Sequence, residues 1–396
     1  MTTEFAQDLA ARLAGLEATS QLRRLVPVEH EAGGTLIAAD GRRFVNLAGN
    51  DYLGLADNTG FRGTFYAERR AEKDASALSL GSTGSRLMSG NSPSCALFEK
   101  ELARFYDREA ALFFNSGYHL NLGLLPALAD KPDLVVADKL CHASLIDGMR
   151  LCRAKVLRYP HLDYGAVERI FARERDSCRH AFLVTESIFS MDGDCADLNE
   201  LIRLKEKWGA QLYVDEAHGV GIRGENGLGL AEEQGALAGI DFFVGTCGKA
   251  WGGMGAFVVC GRVQADWLVN TARPHIFSTA LPPVNLEWLR FVLKRLPGLG
   301  TARRRVADLA SRLREALTAA GLVTCGNSHI VPIILGEPER TLAAAEALKE
   351  AGYWATAIRP PTVPRGSCRL RLSLNANMNW ETLAPLPGIV ADAVGR

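Results

Sequence analysis

The stretch that decides the fold is Asp241-Phe242-Phe243-Val244-Gly245-Thr246-Cys247-Gly248-Lys249, a short apolar run that ends in a lysine. A second apolar run, Leu212-Tyr213-Val214, ends in a similar way at Asp215 and His218. Both runs have the length and composition of buried strands. Because ligands bind at the carboxyl ends of the strands in an open parallel sheet, we expect Asp215, His218 and Lys249 to converge although they are distant in sequence.

The rest of the chain extends this pattern, since short apolar runs alternate with helical stretches over much of its length. The predicted strands cover residues 111–114, 134–137, 155–157, 182–185, 212–214, 242–245 and 256–260. Such alternation predicts an α/β fold with a mostly parallel sheet flanked by helices. Later, long helices and two more strands (330–335 and 369–374) predict an α+β domain. We therefore expect an N-terminal arm (1–55), a large cofactor-binding domain (56–283) and a smaller C-terminal domain (284–396).

A lysine and an acid that converge at the ends of predicted strands suit one cofactor, pyridoxal 5'-phosphate. The lysine can form a Schiff base with it, and the acid can keep the ring nitrogen protonated, so that the ring acts as an electron sink. Glycines at positions 248, 252, 253 and 255 keep side chains away from a flat ligand. The pair alone leaves an alternative open, in which Asp215 caps a helix and Lys249 extends along the surface.

Composition narrows the class of function. The 45 basic residues balance the 45 acidic ones, so the chain carries no electrostatic footprint for nucleic acid or an anionic membrane. The nine cysteines are scattered and include no CxxC pair, which argues against a disulfide framework and against a zinc site. We see no signal peptide and no apolar run near the ~20 residues of a membrane span. We therefore expect a cytoplasmic enzyme of small molecules, without a metal.

Several further stretches match the motifs of one family in the family's order. They are Asn50-Asp51-Tyr52-Leu53-Gly54-Leu55, Gly81-Ser82-Thr83-Gly84-Ser85-Arg86, His142-Ala143-Ser144-Leu145, Ser190-Met191-Asp192-Gly193-Asp194 after Glu186, the stretches 215–221 and 246–249, and Ser278-Thr279 before Leu281-Pro282-Pro283. In these motifs the chain resembles the α-oxoamine synthases, a branch of the fold-type-I pyridoxal-phosphate enzymes. The resemblance implies a pyridoxal-phosphate-dependent acyltransferase that works as a homodimer.

The resemblance also implies a role for each of three residues around the cofactor ring. Lys249 would carry the cofactor and then act as a general base. Asp215 would pair with the ring nitrogen, and His142 would stack on the ring. On position alone, His142 could equally be a loop histidine whose hydrogen bonds are satisfied locally.

Other residues would contact the phenolic oxygen or shape the pocket. By the same resemblance, Ser190 and His218 would reach that oxygen, and Glu186 would organise the pocket around it. We interpret the neighbouring Asp192-Gly193-Asp194 as an exposed turn.

The phosphate group has its own predicted contacts. Ser116-Gly117-Tyr118 follows a predicted strand and begins a helix, and backbone N–H groups at a helix start can bind a phosphate, so we assign Gly117 and Tyr118 to it. Thr246 would contact the same group. By resemblance, Ser278 or Thr279 would contribute from the other subunit, although both could instead form a helix N-cap or a turn before Pro282.

Substrate contacts are predicted near both ends of the chain. Arg371 lies in the apolar stretch 369–374 and, by resemblance, would grip the carboxylate of an amino acid through two parallel hydrogen bonds, with help from Asn50. Arg23 would approach the acyl chain or its thioester carrier. Thr362, within Arg359-Pro360-Pro361-Thr362-Val363-Pro364, would lie near the same part of the pocket.

Two stretches, Leu22-Arg23-Arg24 before Pro27-Val28 and Arg359-Pro360-Pro361-Thr362-Val363-Pro364, resemble the branch of the family that condenses L-alanine with a pimeloyl thioester. This branch yields 8-amino-7-oxononanoate, carbon dioxide and the free thiol carrier in biotin biosynthesis, and the carrier could be coenzyme A or acyl carrier protein. The other branches, which are glycine C-acetyltransferase, 5-aminolaevulinate synthase and serine palmitoyltransferase, remain alternatives. A further alternative is a non-catalytic partner subunit of the same fold, but such a subunit would be expected to lose Lys249.

Overall fold

The structure is a computed structural model that describes residues 3–72 and 76–395. Its strands are β1 (Val28–Glu31), β2 (Thr35–Ala38), β3 (Arg43–Asn46), β4 (Ala110–Phe114), β5 (Leu134–Asp138), β6 (Lys155–Tyr159), β7 (Ala181–Glu186), β8 (Gln211–Asp215), β9 (Phe242–Thr246), β10 (Ala256–Cys260), β11 (Ile330–Gly336), β12 (Tyr353–Trp354), β13 (Thr356–Ile358) and β14 (Cys368–Ser373). Its α-helices are α1 (Glu4–Ala18), α2 (Thr59–Ala71), α3 (Pro93–Phe105), α4 (Gly117–Leu128), α5 (Ala143–Leu151), α6 (Tyr164–Glu174), α7 (Leu198–Trp208), α8 (Leu230–Glu233), α9 (Arg262–Thr271), α10 (Arg273–Phe277), α11 (Pro283–Leu293), α12 (Gly300–Ala319), α13 (Pro338–Glu350), α14 (Trp380–Leu383) and α15 (Leu386–Ala393).

The chain folds into two compact units. The larger unit contains Asn50–Ser190 and Asp194–Arg305. The smaller unit contains the described residues of Met1–Gly49, Met191–Gly193 and Val306–Arg396. Helix α11 packs on α3 within the larger unit, and our predicted domain boundaries after residues 55 and 283 stay predictions.

The larger unit is built on a seven-stranded sheet with the order β4-β10-β9-β8-β7-β5-β6. The pairs β9/β8, β8/β7, β7/β5 and β5/β6 are parallel, and β10 is antiparallel to both of its neighbours. The mostly parallel sheet predicted from the alternation is therefore confirmed. Strands β4, β5, β7, β9 and β10 are buried along their whole length, as expected for a sheet covered on both faces.

The register of the parallel strands decides where the polar groups meet. Glu186, the last residue of β7, pairs with Asp215, the last residue of β8, and Asp215 pairs with Val244 of β9. Helices α4 and α5 begin just after β4 and β5 and pack against each other. A Cβ atom at Gly148 of α5 would lie 2.4 Å from the Asn121 carbonyl oxygen of α4, so only glycine permits this close approach.

The smaller unit contains two sheets of its own. One has the order β1-β2-β3-β12, and β2 and β3 form a hairpin around Asp40-Gly41, with Gly41 at φ +81°. The other has the order β11-β14-β13 and is antiparallel, in line with the predicted α+β character. Among the residues that the structure describes, no helix combines the length and the apolar character needed to cross a membrane.

Candidate active site

Lys249 follows β9 and lies against His218, which follows β8. The Lys249 Nζ atom is 2.8 Å from His218 Nε2, and the His218 Nδ1 atom is 2.7 Å from the Tyr52 hydroxyl oxygen. Tyr52 donates its own hydrogen to Asn50 Oδ1 at 3.0 Å. Because the Tyr52 hydrogen points to Asn50, the Tyr52 oxygen accepts a hydrogen bond from His218 Nδ1–H. His218 Nε2 then accepts from the Lys249 amine, so the contacts select one tautomer of the imidazole.

Asp215 is buried beside a residue that sequence reasoning did not single out, Asn121. The Asp215 side chain accepts one hydrogen bond from Asn121 Nδ2 at 2.8 Å and another from the Ala217 backbone at 2.9 Å. Asn121 lies in the middle of α4, is only 1% exposed, and accepts at Oδ1 from the Tyr213 hydroxyl at 2.5 Å. These contacts fix the orientation of the Asp215 carboxylate.

The same asparagine connects Asp215 to His142. Asn121 Nδ2 also donates to Ser144 Oγ at 2.9 Å, and Ser144 Oγ lies 2.8 Å from His142 Nδ1. Burial lowers the pKa of His142; the charge of Asp215 opposes this effect, and the charge of Lys249 adds to it. A neutral His142 accepts a hydrogen bond from Ser144 at Nδ1 and carries its proton on Nε2. This neutral form is compatible with the predicted stacking of the His142 ring on the cofactor.

Glu186 ends β7 and supports the loop that contains His142. Its Oε1 atom accepts a hydrogen bond from the His142 backbone N–H at 2.5 Å. Burial raises the pKa of Glu186 well above its usual range, and the charge of Asp215 raises it further. Ser190 lies four residues later, in the loop after β7, and is half-buried. Glu186 and Ser190 thus lie at the end of β7 and in the loop that follows it, and their contacts with the cofactor stay predictions.

The predicted phosphate contacts lie at the start of α4. The Ser116 side chain caps this helix by accepting from the His119 backbone, so the backbone at Gly117 and Tyr118 forms the first turn. A Cβ atom added to Gly117 would lie 2.7 Å from Thr246 Cγ2, which shows how closely these two residues approach. The Tyr118 hydroxyl donates to Asp147, so a phosphate contact at this residue would come from its backbone.

Ser278 and Thr279 follow α10 and lie beside the same strand end. The Thr279 carbonyl accepts from Asn115 Nδ2 at 2.7 Å, and Thr279 forms an isolated bridge with Ser85. Ser278 follows α10 in an extended conformation and is not an N-cap there. Their predicted contribution to a partner subunit stays a prediction.

The predicted substrate residues of the smaller unit fall into two places. Arg371 lies on β14, is buried, and donates to Ser373 Oγ at 2.8 Å. Arg23 and Thr362, although 339 residues apart, are joined by a hydrogen bond of 3.0 Å from Arg23 Nη2 to Thr362 Oγ1. Both of the latter residues are exposed. Asn50, the fourth predicted substrate contact, belongs to the larger unit and receives the hydroxyl hydrogen of Tyr52.

The residues of the larger unit fit pyridoxal phosphate. They offer an amine at Lys249, a buried carboxylate at Asp215 and a glycine-lined helix start beside Thr246. The amine and the carboxylate are the two groups that the cofactor requires, and the helix start suits its phosphate. Tyr52 and Asn121 complete this arrangement. A sequence signal for Tyr52 existed in the 50–55 motif, whereas Asn121 had none.

Comparisons with known proteins agree with this chemistry. Residues 42–386 match the family model described as aminotransferase class I and II. The chain is 47% identical to a putative 8-amino-7-oxononanoate synthase of Pasteurella multocida, covering 93% of this chain and 94% of that protein. It is 46% identical to an 8-amino-7-oxononanoate synthase of Chlorobaculum parvum, covering 92% of this chain and 93% of that protein. It also resembles the structure of serine palmitoyltransferase from S. paucimobilis with a bound PLP–myriocin aldimine, at 27% identity, a TM-score of 0.88 and 100% coverage of both chains.

Proposed function

This chain belongs to the aminotransferase class I and II family, within its α-oxoamine synthases, and from that premise we propose that it condenses L-alanine with a pimeloyl thioester. The products are 8-amino-7-oxononanoate, carbon dioxide and the free thiol carrier, and the reaction belongs to biotin biosynthesis. The observation that carries the proposal is the contact between Lys249 and His218 at the strand ends that also hold the buried Asp215. The names of the two relatives support the choice of substrates.

The larger unit contains the residues that would hold the cofactor. Lys249 would bind it covalently, Asp215 would pair with its ring nitrogen, and His142 would lie against the ring. The backbone of Gly117 and Tyr118, together with Thr246, would bind the phosphate. When bound, pyridoxal phosphate supplies an electron sink for bonds broken at the α-carbon of an amino acid.

Lys249 and His218 are arranged to move a proton. After release from the cofactor, the Lys249 amine would take the α-proton of alanine as a general base. His218 Nε2, 2.8 Å away, accepts a hydrogen bond from that amine and keeps it in place. Tyr52 holds the imidazole from its other side. Because this chain of contacts lies beside the buried Asp215 network, both groups can be fixed before substrate arrives.

The proposed substrate contacts are Arg371, Arg23, Thr362 and Asn50. Arg371 is buried on a strand, and a guanidinium held in this way suits the carboxylate of alanine. Arg23 and Thr362 are exposed and bonded to each other, which suits contact with a long acyl chain or its carrier. Ser190 and Glu186 would support the cofactor from the loop after β7.

We infer that the active protein is a homodimer. Phe277 of α10 is 69% exposed and Met88 of the contacting segment Arg86–Gly90 is 83% exposed. Neighbouring apolar side chains with this exposure are typical of a protein interface. The segment lies next to Ser278 and Thr279, which we propose to contact the cofactor phosphate of the partner. Light scattering of the purified protein tests the assembly, and a monomer at working concentration would contradict it.

We also propose a cytoplasmic location. The nine cysteines are scattered along the chain, and Cys95, Cys141, Cys247, Cys260 and Cys368 are buried. Scattered thiols of this kind suit a reducing compartment. Cell fractionation tests this, and recovery outside the cytoplasm would contradict it.

The decisive experiment measures product mass. The purified protein with pyridoxal phosphate is offered L-alanine, glycine or L-serine with pimeloyl-, acetyl-, succinyl- or palmitoyl-CoA, and pimeloyl-acyl carrier protein is tested in parallel. We expect the dominant product from alanine and a pimeloyl donor. Product from another pair alone would overturn the choice of substrates and leave the chemistry of Lys249 intact. The ratio of rates with the two pimeloyl donors identifies the carrier.

A further inference from the structure

His161, in the loop between β6 and α6, is held between two carboxylates. Its Nδ1 atom is 3.0 Å from Asp138 Oδ1, and its Nε2 atom is 2.6 Å from Asp194 Oδ2. A carboxylate accepts hydrogen bonds, so each ring nitrogen of His161 must supply a hydrogen. The ring is therefore an imidazolium, which makes two charge-assisted hydrogen bonds at once.

The two carboxylates belong to the loops that present cofactor residues. Asp138 ends β5 and comes four residues before His142. Asp194 closes the loop after β7, because its carbonyl accepts from the Phe189 backbone at 3.0 Å, and Ser190 lies between these two residues. The His161 ring also meets the edge of Phe189, with ring centres 4.4 Å apart and planes at 84°. His161 thus contacts both ends of the segment that contains Ser190.

The backbone beside His161 is held in an uncommon conformation. Leu162 has φ +54°, in the left-handed region that a leucine rarely adopts. Its N–H donates to Asp138 Oδ2 at 2.9 Å, and Asp138 is fully buried and also accepts from the Leu140 backbone at 2.8 Å. A backbone conformation of this kind persists only where the surrounding contacts over-determine it. The position of His161 relative to the loop before His142 is therefore fixed.

We propose that His161 is a positioning residue for the cofactor site: its imidazolium joins the loop before His142 to the loop of Ser190 and holds both in register for the bound cofactor. The inference rests on the proposed function, since it assumes that these two residues contact pyridoxal phosphate. His161 itself touches neither substrate nor cofactor in this proposal. It acts through Asp138 and Asp194.

The charges around His161 keep it protonated at working pH. Burial lowers its pKa, but the hydrogen bonds and charges of Asp138 and Asp194 outweigh this effect and raise the pKa to about 10. The other titratable side chains whose pKa responds to Asp138 are Cys141, Tyr159, Tyr164 and Glu186, and burial raises the pKa of all four. Since the folded-state pKa of His161 lies above its unfolded value, its stabilising effect is complete at low pH and is lost as the pH rises through about 10.

The test compares holoenzymes that carry His161→Gln, Asp194→Asn or both substitutions. The measured quantities are the rate of cofactor release on dilution, the visible absorbance of the bound cofactor and the melting temperature. We expect His161→Gln to accelerate release about tenfold, because a neutral amide replaces the imidazolium and its two charge-assisted hydrogen bonds. Asp194→Asn should have a smaller effect, and the double variant should resemble His161→Gln, because both substitutions break the same contact. The matched control is His180→Gln, an exposed histidine just before β7.

Each outcome decides the inference. If the variants match the control in release rate and absorbance, the positioning role is overturned, even if their melting temperature is lower. A purely structural histidine would change stability alone. If His161→Gln fails to fold, Asp194→Asn decides in the same way. Additive effects in the double variant would show that His161 does not act through Asp194 and would overturn the proposed connection. Failure of the unaltered protein to retain cofactor would contradict the proposed function itself.

Discussion

The Asp215–Asn121 contact and the Arg23–Thr362 contact both join residues that are distant in sequence, but they differ in burial. Asp215 and Asn121 are 4% and 1% exposed, and further hydrogen bonds hold each of them. Arg23 and Thr362 are exposed and make one hydrogen bond to each other. Water competes for the exposed contact and cannot replace the buried one. Under our proposal, the cofactor chemistry would therefore depend on fixed geometry, whereas contact with the acyl donor would depend on adaptable surface groups.

The largest effect is expected from removing the Lys249 amine. Lys249→Ala takes away the amine that contacts His218 Nε2 and, with it, the proposed covalent attachment and general base. We expect the rate of product formation to fall by at least about 10³-fold. Mass spectrometry of product over several turnovers measures this, with the exposed Lys131→Ala as the control. Sustained multiple turnovers by Lys249→Ala would remove Lys249 from the chemistry.

The second-largest effect is expected from breaking the buried contact between Asp215 and Asn121. Asn121→Ala removes the donor to Asp215 and to Ser144 and the acceptor of the Tyr213 hydroxyl. Because these partners stay buried, we expect the free energy of unfolding to fall by about 1–3 kcal/mol. Activity should fall as well, since the Asp215 carboxylate loses its orientation.

Urea denaturation and steady-state kinetics measure the two effects of Asn121→Ala. The matched control is Asn199→Ala, which removes an exposed amide that donates to the Gln234 carbonyl. An equal loss of stability in both variants would mean that burial does not distinguish the two amides. Unchanged activity in Asn121→Ala would show that Asp215 is oriented by other contacts.

Asn121 also shows where sequence reasoning reached its limit. The strands of the large sheet could be predicted because each is a short apolar run, and β10 was placed to the residue, whereas β6 extends two residues beyond the predicted 155–157. Lys249, Asp215 and His218 were expected to converge because each follows such a run, and the contact of Lys249 with His218 confirms this for that pair. Asn121 lies inside an apolar helix, where nothing local marks it. Its role arises only when α4 packs beside β8 and α5.

Tyr52 was partly predicted: its motif, residues 50–55, was recognised, but its contact with His218 was not. Tyr52→Phe keeps the ring, which is 1% exposed, and removes the hydroxyl that meets His218 Nδ1. Without this partner the His218 Nδ1–H loses the Tyr52 oxygen as its acceptor and the imidazole is held less firmly, so we expect kcat/KM to fall about tenfold with little change in melting temperature. Kinetics and thermal melting test this against Tyr66→Phe, whose ring is half exposed. An unchanged kcat/KM would show that Lys249 alone orients His218.

The smallest effect is expected at the exposed contact. Arg23→Ala breaks the hydrogen bond to Thr362, and because water can replace an exposed partner, the loss should be that of a surface contact. We expect the KM for the pimeloyl donor to rise about two- to fivefold while kcat and the KM for alanine stay unchanged. The matched control is the adjacent Arg24→Ala, which breaks an exposed ion pair with Glu17. If Arg23→Ala instead lowered kcat as strongly as Asn121→Ala, burial would no longer separate the two regions, and Arg23 would have to act on the reacting groups themselves.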